Sequence, residues 1–572
     1  MTRDITFITT IIASYAISVF FYIKRPYDSL YSYIFWILSI LLIFICISYK
    51  EKFKINSFNF KNFSFIKFIN NNKLIIVILI LGTIVRFWNL TSIPILTHDE
   101  AKDAGLFPQK IISGELKDYF GFNAGINNNF FILSSIPHLI ITDPILKVRL
   151  FSALFGVLSI LLIYLLAKSV FNKRVALISA ALLSVYHVHI HFSRTEFLNL
   201  FDSFYGLLIL IAFSRLSGSW KINNVIMLAT ILGLGLHFYS GLRAIILLTT
   251  ITFVIFTLVK NNFKKIVPFF IVFLFFFLVA LGPIIVVMTT RGEEFKAEGT
   301  ATVISSASHN LNSAINQIAV NYKNSLLSYI QTPIDFHYNY GGPFLIVPFS
   351  IFFLLGLLLA FSQIKKPIYL LIILSIFGIP FFNSAILNTV NYTHRLLSLI
   401  PLIIILTSFG IEKIAGLLKK LTDTKIALLF IVAICIYFAY YNIHLYFYKN
   451  IWERTLNINE FRAWESQKII NNLDKNTVTF FIGNDYYPSY RSVPPLEYLT
   501  QKHEIVDIID REKLYQSLYK NVNNYLLIIM PDNKAMLDQQ SLVKYLYPNK
   551  ISSKKIYYKD MYLFDALRIT KT

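Results

Sequence analysis

Cysteine is almost absent: Cys46 and Cys435 are the only two in 572 residues, and both lie in apolar runs. Two such residues exclude a disulfide framework and any zinc motif built on cysteine. They read as small buried hydrophobes. Charge is also scarce, at 15% of residues, where soluble domains carry about 25%. Acids are the scarcer sign, with 31 Asp and Glu against 53 Lys and Arg. No internal repeat stands out, and the apolar runs do not alternate as barrel strands would. The apolar stretch 5–23 is followed by Lys24-Arg25-Pro26 rather than a small-residue cleavage site. It reads as an uncleaved first span and not as a signal peptide.

Apolar residues fill the space that charge leaves. They make up 56% of the chain and are gathered into runs such as 158–166, 245–258 and 345–359. A bilayer core of about 30 Å takes about 20 apolar residues per helix, and only helices suit these runs. The expectation is an α-helical polytopic membrane protein with about thirteen transmembrane helices. The net charge of +22 does not point to nucleic acid. Residues 1–447 carry 35 basic against 17 acidic residues, and 448–572 carry 18 against 14. The basic excess belongs to the membrane part, where cytoplasmic loops are expected to be basic. Lys50 to Lys73, Lys168 to Arg174, Lys260 to Lys265 and Lys419-Lys420 then lie inside.

This orientation predicts a cytoplasmic (plasma) membrane protein with its working parts on the extracytoplasmic side. Residues 1–73 form two helices and a basic loop. Residues 74–447 form the transmembrane domain, with outer loops 93–147 and 289–342. Residues 448–572 form an outer soluble domain. In that tail 478–482, 525–530 and 563–569 read as strands, with helix-like stretches at 511–520 and 534–546. The tail is a small α/β domain without a Gly-rich phosphate loop. In the first outer loop, 130–133 and 139–141 are too short to span and read as interfacial helices.

Chemistry gathers at the outer ends of spans. Thr97-His98-Asp99-Glu100 follows the span 74–92. Asp99 is the candidate general base, taking a proton from an attacking acceptor, with Glu100 and His98 beside it. His187, His189 and His191 share one face only if that stretch is extended; in a helix they splay apart. Arg194 either grips a phosphate with its fork of donors or pairs with Glu196. Asp202 opens an apolar span, and an acid there is a functional candidate. Tyr239 and Arg243 flank Gly241, while His394 and Arg395 open a late span. Each basic residue singly could be a snorkelling anchor. Together with Arg291 they put positive charge where it is usually sparse, which suits an anionic lipid headgroup.

The ordered set resembles the protein mannosyltransferase and aminoarabinose transferase-like superfamily of integral membrane glycosyltransferases. It comprises the outer Asp99-Glu100 pair, Arg149-Leu150-Phe151-Ser152-Ala153-Leu154-Phe155-Gly156, His191-Phe192-Ser193-Arg194 with Asp202, and Gly233-Leu234-Gly235-Leu236-His237-Phe238-Tyr239. The resemblance covers about residues 74–450 and implies a GT-C-like fold. It also implies a polyprenyl-phosphate-linked sugar as donor and an inverting transfer at the outer face. It assigns Asp99 as the catalytic acid of the first loop and Arg395 as a late phosphate-contacting residue. Asp202 and Glu196 compete for the second acid. Some members use a divalent metal; no residue set here establishes one. The acceptor is unidentified. The first two spans depart from the family pattern as an N-terminal addition. A flippase of lipid-linked saccharides, or a lipid-linked glycan ligase or polymerase, is the alternative.

Overall fold

A computed structural model of the chain describes residues 2–50, 65–123, 126–195, 199–260, 263–296, 311–331, 343–387, 393–450, 458–474, 476–484, 488–508, 511–518, 524–531, 543, 550–558 and 560–570. In chain order the α-helices are α1 (Thr2–Lys24), α2 (Leu30–Lys50), α3 (Phe65–Phe87), α4 (Phe107–Ser113), α5 (Asn128–Ile140), α6 (Pro144–Val170), α7 (Lys173–Val185), α8 (His187–Arg194), α9 (Leu200–Gly218), α10 (Ile222–Gly235) and α11 (Leu242–Lys260). They continue as α12 (Phe263–Leu281), α13 (Ile284–Thr290), α14 (Gly292–Lys296), α15 (Leu311–Leu327), α16 (Val347–Phe361), α17 (Pro367–Pro380), α18 (Ile400–Leu421), α19 (Thr424–Ile443), α20 (Ile458–Asn471), α21 (Pro494–Leu499) and α22 (Arg511–Leu518). The chain separates into two compact units. One is Met1–Leu90, Ser113–Leu133 and Arg149–Glu453; the other is Thr91–Ile112, Ser134–Val148 and Arg454–Thr572.

The first unit is helical around one apolar core, as the long runs require. Among the described residues eight helices are long and apolar enough to cross a membrane, or up to ten if two bent pairs each count once. Among the described residues the expected count of about thirteen is not confirmed. Two expected spans are short apolar helices, α10 and α16. Two more are broken. α7 and α8 bend by 56° at the extended residue Tyr186, and α12 and α13 by 79° at Gly282-Pro283. Gly282 takes a positive φ of 65° there, and proline cannot donate onward into a helix. Caps are local where the sequence supplies them: the Asn172 side chain accepts from the N–H groups of Arg174 and Val175, and Asp423 accepts from Ile426.

The two N-terminal helices are bonded into this unit. Ser18 and Ser32 each donate to the other's carbonyl, joining α1 to α2. Trp36 donates from its indole nitrogen to Val279 O at 3.1 Å and packs over Gly282, where a Cβ would strike the indole. Tyr22 meets Asp118 and Arg291, which pair at 2.7 Å.

The second unit is built on a five-stranded sheet in the order β4-β3-β5-β7-β6. Here β3 is Thr477–Ile482, β4 Ile505–Asp507, β5 Asn524–Ile529, β6 Ile551–Tyr558 and β7 Met561–Thr570; β1 and β2 are a two-residue hairpin at 122–127 in the first unit. β4, β3 and β5 are parallel, while β7 and β6 add antiparallel. β3 and most of β5 are buried on both faces, so they read as continuous apolar runs. Phe481, Leu526 and Ile528 face one core, and Phe480, Leu527 and Ile529 face the other. The three expected strands are present; the edge strands β4, only three residues long, and β6, largely polar, are additional. The expected helix at 534–546 lies almost wholly outside the described residues.

α16 and α18 cross where glycine faces backbone. A Cβ on Gly356 would strike Leu406 O, and one on Gly410 would strike Phe352 O. Small residues let membrane helices approach this closely. Gly410→Val is therefore expected to cost about 1–3 kcal/mol, the usual range for overpacking. The readout is a lower thermal unfolding midpoint in detergent, and an unchanged midpoint would contradict the close crossing.

Candidate functional site

In the first unit two of the three arginines expected at a phosphate come together. Arg243 at the start of α11 and Arg395, just ahead of α18, line one cavity of about 250 Å³ with Ser240, Gly241, Phe382 and Asn383. Asn383 builds it. Its side-chain amide donates to Gly241 O at 2.8 Å and to Arg395 O at 2.9 Å, tying two distant loops together. The fully buried Asp202 lies directly under this loop, because a Cβ on Gly241 would strike its carboxylate. Tyr239 and His394 are also neighbours, with ring centroids 6.3 Å apart. Four of the expected residues thus sit around the cavity's two loops, and Asp202 supports them from below.

Arg194 is used elsewhere. It is completely buried at the end of α8 and donates to Val85 O at 2.9 Å and Arg86 O at 3.0 Å. Its guanidinium also stacks 5.3 Å over Phe447. The last carbonyls of α3 lack intrahelical partners, and Arg194 supplies donors to them. Glu196, its expected ion-pair partner or the competing second acid, lies outside the described residues. Arg291, counted among the outer arginines, pairs with Asp118.

The histidine triplet is helical and splays apart. His187 bonds Asn442, His189 meets Arg86 at 2.8 Å, and His191 packs against the rings of Phe192 and Tyr446. Among the described residues no three His, Cys, Asp or Glu side chains converge to hold a metal ion. The donor set for the divalent metal that the resemblance allows is not assembled among them.

In the second unit the acid pair divides. The Thr97 hydroxyl accepts from the Glu100 N–H at 3.4 Å, and the Glu100 carboxylate accepts from the Thr97 N–H at 2.9 Å. This is a capping box, satisfying two helix-end donors reciprocally. Glu100 is fully buried in it. Asp99 instead has its side chain about a third exposed, 3.5 Å from Lys102. Lys102 also lies 3.4 Å from Asp103. Burial alone would lower the Lys102 pKa, but Asp103 and Asp99 outweigh it and hold the ammonium above its ordinary value. Burial lowers the pKa of His98, against the opposing pull of Asp99.

Several polar residues escaped sequence reasoning. Arg86 is fully buried and donates to Ser184 O at 2.8 Å, Leu183 O at 3.2 Å and Gly82 O at 3.1 Å. An arginine in an apolar span is a signal that could have found it. Asn383 and Glu460, whose carboxylate accepts from the His98 N–H at 3.4 Å, carry no such signal.

The fold is of the GT-C membrane class. The chain is similar to ArnT from Cupriavidus metallidurans in its apo state, with a TM-score of 0.53 at 12% identity over 88% of this chain and 98% of that one. The same protein bound to undecaprenyl phosphate gives 0.54 at 12% identity and the same coverage. The oligosaccharyltransferase AglB from Archaeoglobus fulgidus, in complex with an inhibitory peptide and a dolichol-phosphate, is similar with a TM-score of 0.47 at 13% identity, over 88% of this chain and 74% of that one. Within that class, residues 130–285 match the family described as dolichyl-phosphate-mannose-protein mannosyltransferase, so the resemblance to that superfamily is met by family and fold alike. Comparison with curated protein sequences finds no match.

His138, at the end of α5, bonds Ala104 O through Nε2 at 2.8 Å, and burial pushes its pKa down to about 4 from an ordinary 6.5. Between those values the unfolded chain binds a proton that the folded one does not, so stability falls as pH drops from 6.5 to about 4. In His138→Gln the loss of thermal midpoint across that window is expected to be smaller than in wild type. Equal slopes would show that His138 is not held neutral.

Proposed function

We propose that the protein is a glycosyltransferase that moves a sugar from a polyprenyl-phosphate donor to an acceptor at the extracytoplasmic face. The observation that carries this reading is the shared cavity of Arg243 and Arg395, two cations held at one place by Asn383. Paired guanidiniums suit a phosphate that gains charge as a leaving group. The printed ligand of the similar ArnT structure, undecaprenyl phosphate, fits that chemistry. The bias of basic residues toward one set of loops supports the outer face.

The chemistry is a single displacement. The acceptor's nucleophilic atom bonds to the anomeric carbon, the bond from that carbon to the phosphate oxygen breaks, and the configuration inverts. Arg243 and Arg395 neutralise the departing lipid phosphate. Asp99 takes the acceptor's proton, a role suited to a carboxylate that water and substrate can reach. Glu100 keeps the Asp99 peptide in place through its capping box. Asp202, Tyr239 and His394 support the phosphate loops from the membrane domain proposed for residues 74–447, of which 91–112 and 134–148 group with the C-terminal sheet. The two helices before it are an addition to that domain.

Purified protein in detergent, supplied with polyprenyl-phosphate sugars and candidate acceptors, tests this. Wild type is expected to consume the donor. Asp99→Asn is expected to lower kcat by about 100-fold or more. Arg243→Ala and Arg395→Ala are each expected to weaken retention of the polyprenyl phosphate in a binding assay. If Asp99→Asn transfers as fast as wild type, the base assignment fails. If no donor is consumed while lipid-linked saccharide crosses a vesicle bilayer, the protein is a flippase.

A further inference from the structure

The segment carrying Asp99 belongs to the same compact unit as the C-terminal sheet. A short helix begins at His98 and continues as a π-helix over Glu100–Leu106. One side of that π-helix is made of the small residues Ala101, Ala104 and Gly105. The ring of Tyr498 fills the space they leave. It packs with Leu96, Ala101, Ala104 and Val148, and a Cβ on Gly105 would come within 2.8 Å of its ring. Tyr498 is almost fully buried, and its hydroxyl donates to Pro144 O at 2.8 Å.

Tyr498 is itself rigidly based. It sits on α21, whose neighbouring Leu496, with Val493 just before the helix, is buried in the core on one face of the sheet. A second anchor comes from α20, where the Glu460 carboxylate accepts the His98 N–H. An acid at this point also complements the positive end of the helix that His98 begins. Asp99 therefore lies between two anchored neighbours. His98 is held by Glu460, Glu100 is held in its capping box, and the following turn rests on Tyr498.

Resting on the reading of Asp99 as the base, we infer that Tyr498 and Glu460 are positioning residues for it, and that the C-terminal α/β domain is the scaffold that aims the catalytic carboxylate. The domain fixes the backbone on both sides of Asp99 while its side chain stays accessible. Reactions that depend on such placement lose about 100-fold in rate for a displacement of about 1 Å.

A double-mutant cycle on the full-length protein in detergent tests the inference, using polyprenyl-phosphate sugar as the probe. Tyr498→Ala is expected to lower kcat at least about tenfold with the donor KM unchanged. Tyr498→Phe keeps the ring and is expected to restore most of the rate. In an Asp99→Asn background, Tyr498→Ala is expected to add no further loss, because the group it positions is gone. Glu460→Leu, which keeps side-chain bulk but offers no acceptor to the His98 N–H, is expected to show the same split between kcat and KM. It serves if Tyr498→Ala does not fold. The inference is overturned if the Tyr498 and Asp99 losses multiply, or if Tyr498→Ala or a folded Glu460→Leu matches wild type. Failure of the underlying reading is a separate result, seen when Asp99→Asn alone is as active as wild type.

Discussion

The last turn of α3 ends inside protein, and its carbonyls must find donors there. In an apolar surround an unpaired backbone carbonyl is costly. Arginine side chains provide the donors. Arg194 reaches Val85 O and Arg86 O, and Arg149 reaches Leu90 O at 2.9 Å. Arg86, within α3, reaches across to the carbonyls that end α7. Each is fully buried and each bonds backbone. These bonds join α3, α6, α7 and α8. Positive charge buried here also complements the negative end of the α3 dipole.

The same requirement shapes the cavity of Arg243 and Arg395. Two loops from distant parts of the chain meet because one amide, on Asn383, can donate twice. Gly241 allows the approach of Asp202, which any Cβ would block. The polar groups are thus arranged by neighbours that have no reactive role. In the second unit the logic is alike: Asp99 is flanked by residues whose own bonds hold the backbone, which leaves its carboxylate toward solvent. The integral membrane character and the GT-C fold supply the frame for both arrangements.

Much of this was legible in the chain. The apolar runs marked the helices, since length and the absence of charge require it. Strands β3, β5 and β7 were legible from their buried apolar pattern. The edge strands β4 and β6 were not, because β4 is only three residues long and β6 is largely polar. Tyr186 and Gly282-Pro283 broke expected spans, although proline gave local warning only at the second. Thr97 and Glu100 hold a readable capping-box spacing, yet two adjacent acids draw attention as a catalytic pair.

By itself, the sequence determined that this is a helical membrane protein with a small α/β tail, and which polar residues are available for chemistry. Hydrophobic burial is set by composition along short windows, so those features are local. Only the tertiary structure decided that Arg243 and Arg395 share a cavity while Arg194 serves a helix end. It also decided that Asp99 stays accessible while Glu100 is enclosed. The reason is physical: the role of a guanidinium or carboxylate depends on which partners reach it, and here the decisive carbonyls, amides and rings come from residues far away in the chain.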